Sequence, residues 1–430
     1  MKRFIALSFL ALGVSAEAQT IGNSPYAAFG IGDPKYDNTI ETSSMGGITT
    51  AYVSDFSNSF NFRNPAANAH FDLTSFRLEA TNENNFYKSD YQNTKVTQHS
   101  NYLSNISLAF PISSKMKFGI GYQPYSSKAY DILISKTQTN GSSKTNRFHG
   151  QGTLSTVQAA LGYKISEAFA VGFRSNFYFG KLNDTEEVTF SNADLINGYD
   201  TQSKIKSFNF TAGTTYRKLL KNDRHLTLGA TYTFGTTGNL VSEYTNSTYY
   251  YSSIDQKANE SVIEQTKNES KNLIPQEFSF GMGYGKDGKW FYGSQLDYRK
   301  GENISFLGQP FEYQDAYRIS AGGWYLPNYN NFRNYFSRVI YRFGAYYEKG
   351  NLKLNPAGAA TGTDVNKFAL TAGMMLPFAN SSINRINGLD VGLEVGKRGT
   401  LQNNMISQTF VNFKVGINFA DKWFQKRQYD

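Results

Sequence analysis

From about residue 74 to residue 419 the chain repeats one pattern, in which apolar residues alternate with polar or small ones over runs of about ten residues. Near the C-terminus Val411, Phe413, Val415, Ile417 and Phe419 fall on one face of an extended strand, and Asn412, Lys414, Gly416 and Asn418 on the other. Phe278, Phe280, Met282 and Tyr284 alternate in the same way with Ser279, Gly281, Gly283 and Gly285. About fourteen such runs can be placed by this period. The first six are predicted at 74–82, 101–110, from Lys117 onward, 153–164, 169–180 and 205–216. The connections form a second signal, independent of the first. Short links such as 113–116, 166–168 and 286–289 alternate with long ones such as 83–100, 126–151, 181–204 and 235–274. Short turns on one side and long loops on the other, with an even strand count, are the arrangement of a transmembrane antiparallel β-barrel whose termini lie in the periplasm.

A soluble two-sheet sandwich competes with this reading, and charge decides between them. Asp297, Arg299, Asp390, Glu394 and Lys414 fall on the face opposite the aliphatic residues. That placement is costly in a dry core and tolerable in a polar lumen. Closure also removes the edges that so much strand would expose. The fold class is therefore all-β, a barrel of about fourteen strands. The composition agrees, with Tyr 30, Phe 34 and Gly 38 against Pro 10. After the first residues no apolar run approaches the ~20 residues of a membrane helix, and the mean hydropathy is −0.48.

At the N-terminus Lys2 and Arg3 precede an apolar run from Phe4 to Val14 and a small-x-small site, Ala16-Glu17-Ala18. Residues 1–18 read as a cleaved signal peptide and 71–419 as the barrel wall, followed by a periplasmic tail at 420–430. The expected location is the outer membrane. Of the net charge of +9, only the surplus of Lys2 and Arg3 over Glu17 leaves with the signal. The basic remainder fits acidic lipopolysaccharide or an acidic partner. Outer-membrane lipid, the barrel-assembly machinery during biogenesis, and other outer-membrane or periplasmic proteins are the expected partners. No basic cluster points to nucleic acid.

Catalytic chemistry is sparse. The chain has no cysteine and its histidines are His70, His99, His149 and His225, with no metal-ligand spacing among them. No Gly-x-Ser-x-Gly elbow is present, and Gly281-Met282-Gly283-Tyr284-Gly285-Lys286 lacks the spacing of a phosphate loop. The expectation is a protein that is not an enzyme, with no cofactor and no bound metal.

Between residues 19 and 70 the alternation is missing. The segment is rich in Gly, Ser, Asn and Ala and includes Pro25-Tyr26-Ala27-Ala28-Phe29, Met45-Gly46-Gly47 and Asn64-Pro65-Ala66. Small residues suit close backbone packing in a confined space. The strand count, this irregular segment and Asn64-Pro65-Ala66 just before the first strand resemble the FadL/TodX family of outer-membrane transporters for hydrophobic molecules. The resemblance implies that residues 19–70 form a lumenal hatch. Phe29, Ile31, Met45 and Phe62 are then candidate ligand-lining residues, with hatch anchoring as the alternative role. It also implies a kinked third strand that opens the wall sideways, for which Pro124 and Tyr125 are the candidates. A proline equally marks a plain strand end or a bulge. The basic tail after Phe419 resembles barrels of the Bacteroidota. The long loop at 235–274, which carries Tyr249, Tyr250 and Tyr251, is mostly Ser, Thr, Asn, Lys and Glu, unlike the apolar catching loops of the family. Two functions follow: passage of hydrophobic small molecules through hatch and lateral opening, or a non-transporting barrel that is a subunit of a secretion or assembly complex.

Overall fold

In the computed structural model, residues 21–35, 38–54, 59–90, 93–139, 141–236, 239–253, 256–270, 274–301, 311–355, 361–379, 381 and 386–422 are described. The expected signal peptide and the end of the tail lie outside these residues. The fourteen wall strands are β1 (Thr74–Ser89), β2 (Thr94–Pro111), β3 (Met116–Thr137), β4 (Ser143–Lys164), β5 (Phe169–Phe190), β6 (Ile196–Leu220) and β7 (Arg224–Thr233), then β8 (Glu277–Lys286), β9 (Trp290–Arg299), β10 (Ala316–Tyr325), β11 (Ile340–Lys349), β12 (Lys367–Pro377), β13 (Gly388–Arg398) and β14 (Ile406–Asp421). Each pairs antiparallel with the next. Pairing of β14 with β1, from Thr74 opposite Asp421 to Ser89 opposite Ile406, closes the ring.

The period-2 reading of the faces holds. Phe413, Val415 and Phe419 are exposed on the outside of β14, while Asn412 and Asn418 are buried on the inside. On β8, Phe278, Phe280 and Met282 face out, and Gly281 and Gly283 face the lumen. The outward face supplies the apolar band that lipid requires.

The strand limits are where the structure departs from expectation. The predicted loops at 126–151 and 181–204 are largely strand, because β3 to β6 run for 22, 22, 22 and 25 residues. A hairpin, Asn239–Ser253 with Gln256–Ser270, adds to the upper half of β6, where Lys206 faces Asn239 and Ile196 faces Tyr249. These segments carry Thr, Ser, Asn and charged residues on both faces, so the alternation that marks a half-buried strand is lost while the backbone ladder continues in water. Tyr249 is therefore a packed strand residue, fully buried, whose hydroxyl donates to Glu187 Oε1 at 2.7 Å. On the opposite half of the ring β7 to β13 are 10 or 11 residues long, and the wall is tall on one side and low on the other.

Candidate functional site

The described residues of the N-terminal segment pack against inward-facing positions of the wall. A short helix, α1 (Ile40–Ser43), is capped by Thr39, whose hydroxyl accepts from Thr42 N at 3.4 Å. A turn at Gly46 and Gly47 follows, with φ of 75° and 89° that favour glycine. The 3-10 turn Pro65–Asn68 is capped by Asn64, with proline at its first position. Asn64 Oδ1 accepts from Ala66 N at 3.2 Å, while its Nδ2 donates to Thr50 O at 2.6 Å and to Thr214 O of β6 at 3.1 Å. Asn64-Pro65-Ala66 thus joins two parts of the segment to each other and to the wall.

The wall meets this segment with glycine. A Cβ on Gly344 would lie 2.3 Å from Gly46 N, one on Gly229 2.0 Å from Thr50 O, and one on Gly172 2.4 Å from Ala66 N. The close packing anticipated from small residues in the segment is therefore shared by the strands around it.

A buried ionic cluster fastens α1 to the wall. Glu41 of α1 accepts from Tyr52 OH at 2.6 Å and pairs with Arg77 of β1 at 3.3 Å and Arg342 of β11 at 3.5 Å. Arg342 also bonds Asp390 of β13 at 2.5 Å, and Arg77 bonds Glu79 at 3.1 Å. All five charged side chains are at most 3 % exposed. Three carboxylates face two guanidinium groups, so removing either arginine would leave acids without their counter-charge away from water. Gln295 Oε1 adds a neutral fastening by accepting from Thr49 N and Thr50 N, both at 2.8 Å.

The ladder between β2 and β3 ends at Ile106 opposite Tyr122. Above that point β2 pairs only with β1, and β3 only with β4, among the wall strands. The register of β3 against β4 shifts between Pro124 and Ser126. Part of the N-terminal segment lies in the break. Asp33 and Pro34 pair antiparallel with Ser127 and Ser126, Lys35 N donates to Tyr125 O at 2.7 Å, and Ser126 Oγ donates to Ile31 O at 2.8 Å. Gly32 has φ of 91°, and a Cβ there would lie 2.4 Å from Ser127 O. On the β1–β2 side Lys35 pairs with Glu83 at 2.8 Å, and Asn23 Nδ2 donates to Gln98 Oε1 at 3.0 Å. Burial would raise the Asp33 carboxyl, but the Arg398 guanidinium against it and the Lys35 ammonium outweigh this and hold it below the usual aspartate range.

Two cavities adjoin the break. The larger, about 1530 Å³ and open to solvent, reaches Gln123, Pro124 and Tyr125 and is lined by both charges. Its cations include Lys35, Arg398 and Lys414, and its acids Glu83 and Glu394; Lys414 pairs with Glu394 at 3.0 Å. The smaller is walled by Tyr26, Phe29, Ile31, Tyr125, Tyr313 and Leu352 together with Arg299, Lys300 and Arg398.

The four candidate lining residues do not converge. Phe29 and Ile31 wall the smaller cavity. Met45 is fully buried in a cluster with Ile48, Trp324 and Met375, and Phe62 packs with Phe60 and Phe71 against β2 and β4. Sequence reasoning missed Glu41, Arg77 and Arg342. Arg77 and Arg342 sit at inward positions of strands, which is a signal, whereas Glu41 lies in a non-periodic stretch that offers none.

With this geometry the chain can be set beside known proteins. The BamG family profile matches residues 1–430. The chain belongs to the BamG family. No curated protein matches in sequence. Several solved structures share the fold of this BamG-family chain. The Pseudomonas putida toluene transporter TodX is 15 % identical, with a TM-score of 0.57 over 91 % of this chain and 99 % of its own. A Pseudomonas aeruginosa FadL homologue is 13 % identical, with a TM-score of 0.57 over 93 % and 99 %. The Ralstonia pickettii toluene transporter TbuX is 13 % identical, with a TM-score of 0.54 over 92 % and 99 %. The BamG-family chain thus shares the fourteen-stranded barrel fold of FadL-type channels.

Proposed function

We propose that this chain is a barrel subunit of an outer-membrane protein complex, one associated with the barrel-assembly machinery, and that it does not carry cargo. The observation that supports this reading most is the lining of the larger cavity. The space that reaches the wall break runs between Lys35, Glu83, Lys414 and Glu394, so a hydrophobic molecule leaving by the break would pass a charged, solvated surface. The buried Glu41–Arg77–Arg342–Asp390 cluster supports a hatch that stays in place, and the family name, BamG, hints at barrel assembly. Extraction of the full chain in mild detergent followed by native separation tests the proposal. Co-migration with assembly-machinery components, together with reduced levels of other outer-membrane barrels on depletion, is the expected result. A chain that migrates only as a lone barrel overturns it.

The second reading is passage of hydrophobic small molecules. It is favoured by the aromatic walls of the smaller cavity, Phe29, Ile31 and Tyr125 among them, beside the break at Pro124. In that reading Pro124 and Tyr125 mark a lateral opening. Uptake of a labelled aromatic hydrocarbon or long-chain fatty acid that falls in a deletion strain and returns with the wild-type chain would favour it; unchanged uptake counts against it.

A further inference from the structure

The short-turn end of the barrel, which faces the periplasm, carries two features that neither the lumen nor the lipid band explains. Its first feature is a structured turn between β10 and β11. Phe332 and Phe336 there are 73 % and 68 % exposed, the two most exposed large apolar side chains among the described residues. The turn is held firmly. Asn328 N donates to Ser337 O at 2.8 Å, Phe336 N to Asn334 Oδ1 at 3.1 Å, and Tyr341 OH to Phe336 O at 3.1 Å. Tyr335 OH donates to Pro377 O at 3.2 Å, tying it to the neighbouring turn, and the Arg338 guanidinium lies 4.8 Å from the Phe332 ring centre. Tyr325 opposite Tyr341 already forms the aromatic border of the lipid band, and the turn extends beyond that pair.

The second feature is charge. Each of four acids at this end is matched: Asp72 with Lys117 at 2.8 Å, Glu167 with Lys164 at 2.9 Å, Asp223 with Lys286 at 3.5 Å and Asp287 with Arg217 at 2.8 Å. Lys115, Lys218, Lys221, Lys289, Arg333 and Lys422 remain on the same rim, with no carboxylate at ion-pair distance among the described residues. At the opposite end Lys128, Arg147 and Lys257 have carboxylate partners, and Lys88, Lys95, Lys136 and Lys144, which have none among the described residues, stand among the acids Asp90, Asp194, Glu264 and Glu269. The periplasmic rim is thus a zone largely of one sign, whereas the opposite end mixes both.

Resting on the reading of the chain as a complex subunit, we propose that this rim docks the acidic surface of a periplasmic protein domain, with Phe332 and Phe336 as its apolar anchors. Rigid exposed aromatics within a field of one charge sign are what a specific, salt-sensitive protein interface needs. Lipid headgroups gather at the level of the aromatic border and require no ordered turn beyond it.

A zero-length carbodiimide, which joins lysine to carboxylate, tests the chemistry directly on the full chain in native membranes. Mapped links from Lys221 and Lys289 to Asp or Glu residues of one periplasmic protein are expected, and they weaken as salt is raised. Phe332→Ala with Phe336→Ala, and separately Arg333→Glu with Lys218→Glu, should lower the yield of the Lys221 links by about tenfold, the scale of losing an interface anchor. Lys136→Glu with Lys144→Glu at the other end should leave it unchanged. Heat-modifiable migration confirms that each variant barrel is folded, and the charge variants carry the test should the aromatic pair fail to fold. Links that persist in the rim variants overturn the inference, as does a rim variant that loses only its membrane recovery, which would make the rings lipid anchors. A complex that forms without rim links also overturns it and leaves the subunit reading intact, whereas a lone barrel removes both.

Discussion

Glu41, on a helix of four residues, reaches two arginines that belong to strands on either side of the barrel closure. Arg342→Ala leaves Glu41, Glu79 and Asp390 to share Arg77, and Glu41→Ala takes away the group by which the helix holds both arginines. Breaking a buried pair costs about 3–5 kcal/mol, so either variant should expose residues 21–70 to protease while the wall still forms. An unchanged digestion pattern of folded, heat-modifiable protein would refute the fastening. Asp33 gives a pH dependence. Its carboxyl is held below its ordinary 3.8, so its contribution is fully present above that value and is lost as the pH falls through the lowered one. Cleavage within residues 21–35 should therefore be constant from neutral pH down to the ordinary carboxylate range and rise only below it. In Asp33→Asn it should be raised throughout. At this scale the sequence is legible where a residue sits in a period. Asp390 and Glu394 could be placed inward from their neighbours, but the pairing of Asp390 with Arg342, and of Glu41 with Arg77 and Arg342, depends on contacts between distant parts of the chain.

The strands were readable in number and in face because each must present apolar side chains to lipid at every second position. Their lengths were not, since nothing in water enforces alternation once the membrane is left behind. The tall strands show this: Thr185-Glu186-Glu187-Val188 of β5 has no greasy face, yet it pairs in register with β4 and β6. The proline at 124 was a visible mark, but a bulge and a break look alike in one strand; only the partner β2, which stops pairing at Ile106, distinguishes them. Hydrogen exchange followed by mass spectrometry should read the break. Peptides covering 130–137 of β3, paired on one side, should exchange well ahead of 117–122, paired on both. Equal protection of the two would mean that β2 and β3 remain joined.

For the molecule as a whole, orientation is the property on which the rest depends. The turn at 138–142 connects β3 to β4 at the tall end, and a side chain on Gly141 would meet nothing within 4 Å, so an epitope inserted there should fold and be labelled on intact cells. The same insertion at Asn222, in the turn between β6 and β7, should be labelled only after the outer membrane is permeabilised. The reverse result would invert the barrel. The absence of cysteine makes single-cysteine labelling at the same two positions an independent check.

The uneven height of the wall has a consequence of its own. At ~3.3 Å per residue β6 is on the order of 80 Å long before tilt, several times the apolar band, whereas β8 to β13 end close to the surface. The tall strands and the added hairpin form a screen around part of the mouth. Among the described residues the wall is lowest on the β8–β13 side, where the connections form a small sheet of Phe311–Tyr313, Leu352–Leu354 and Thr363–Asp364, so the screen gives the barrel a front and a back.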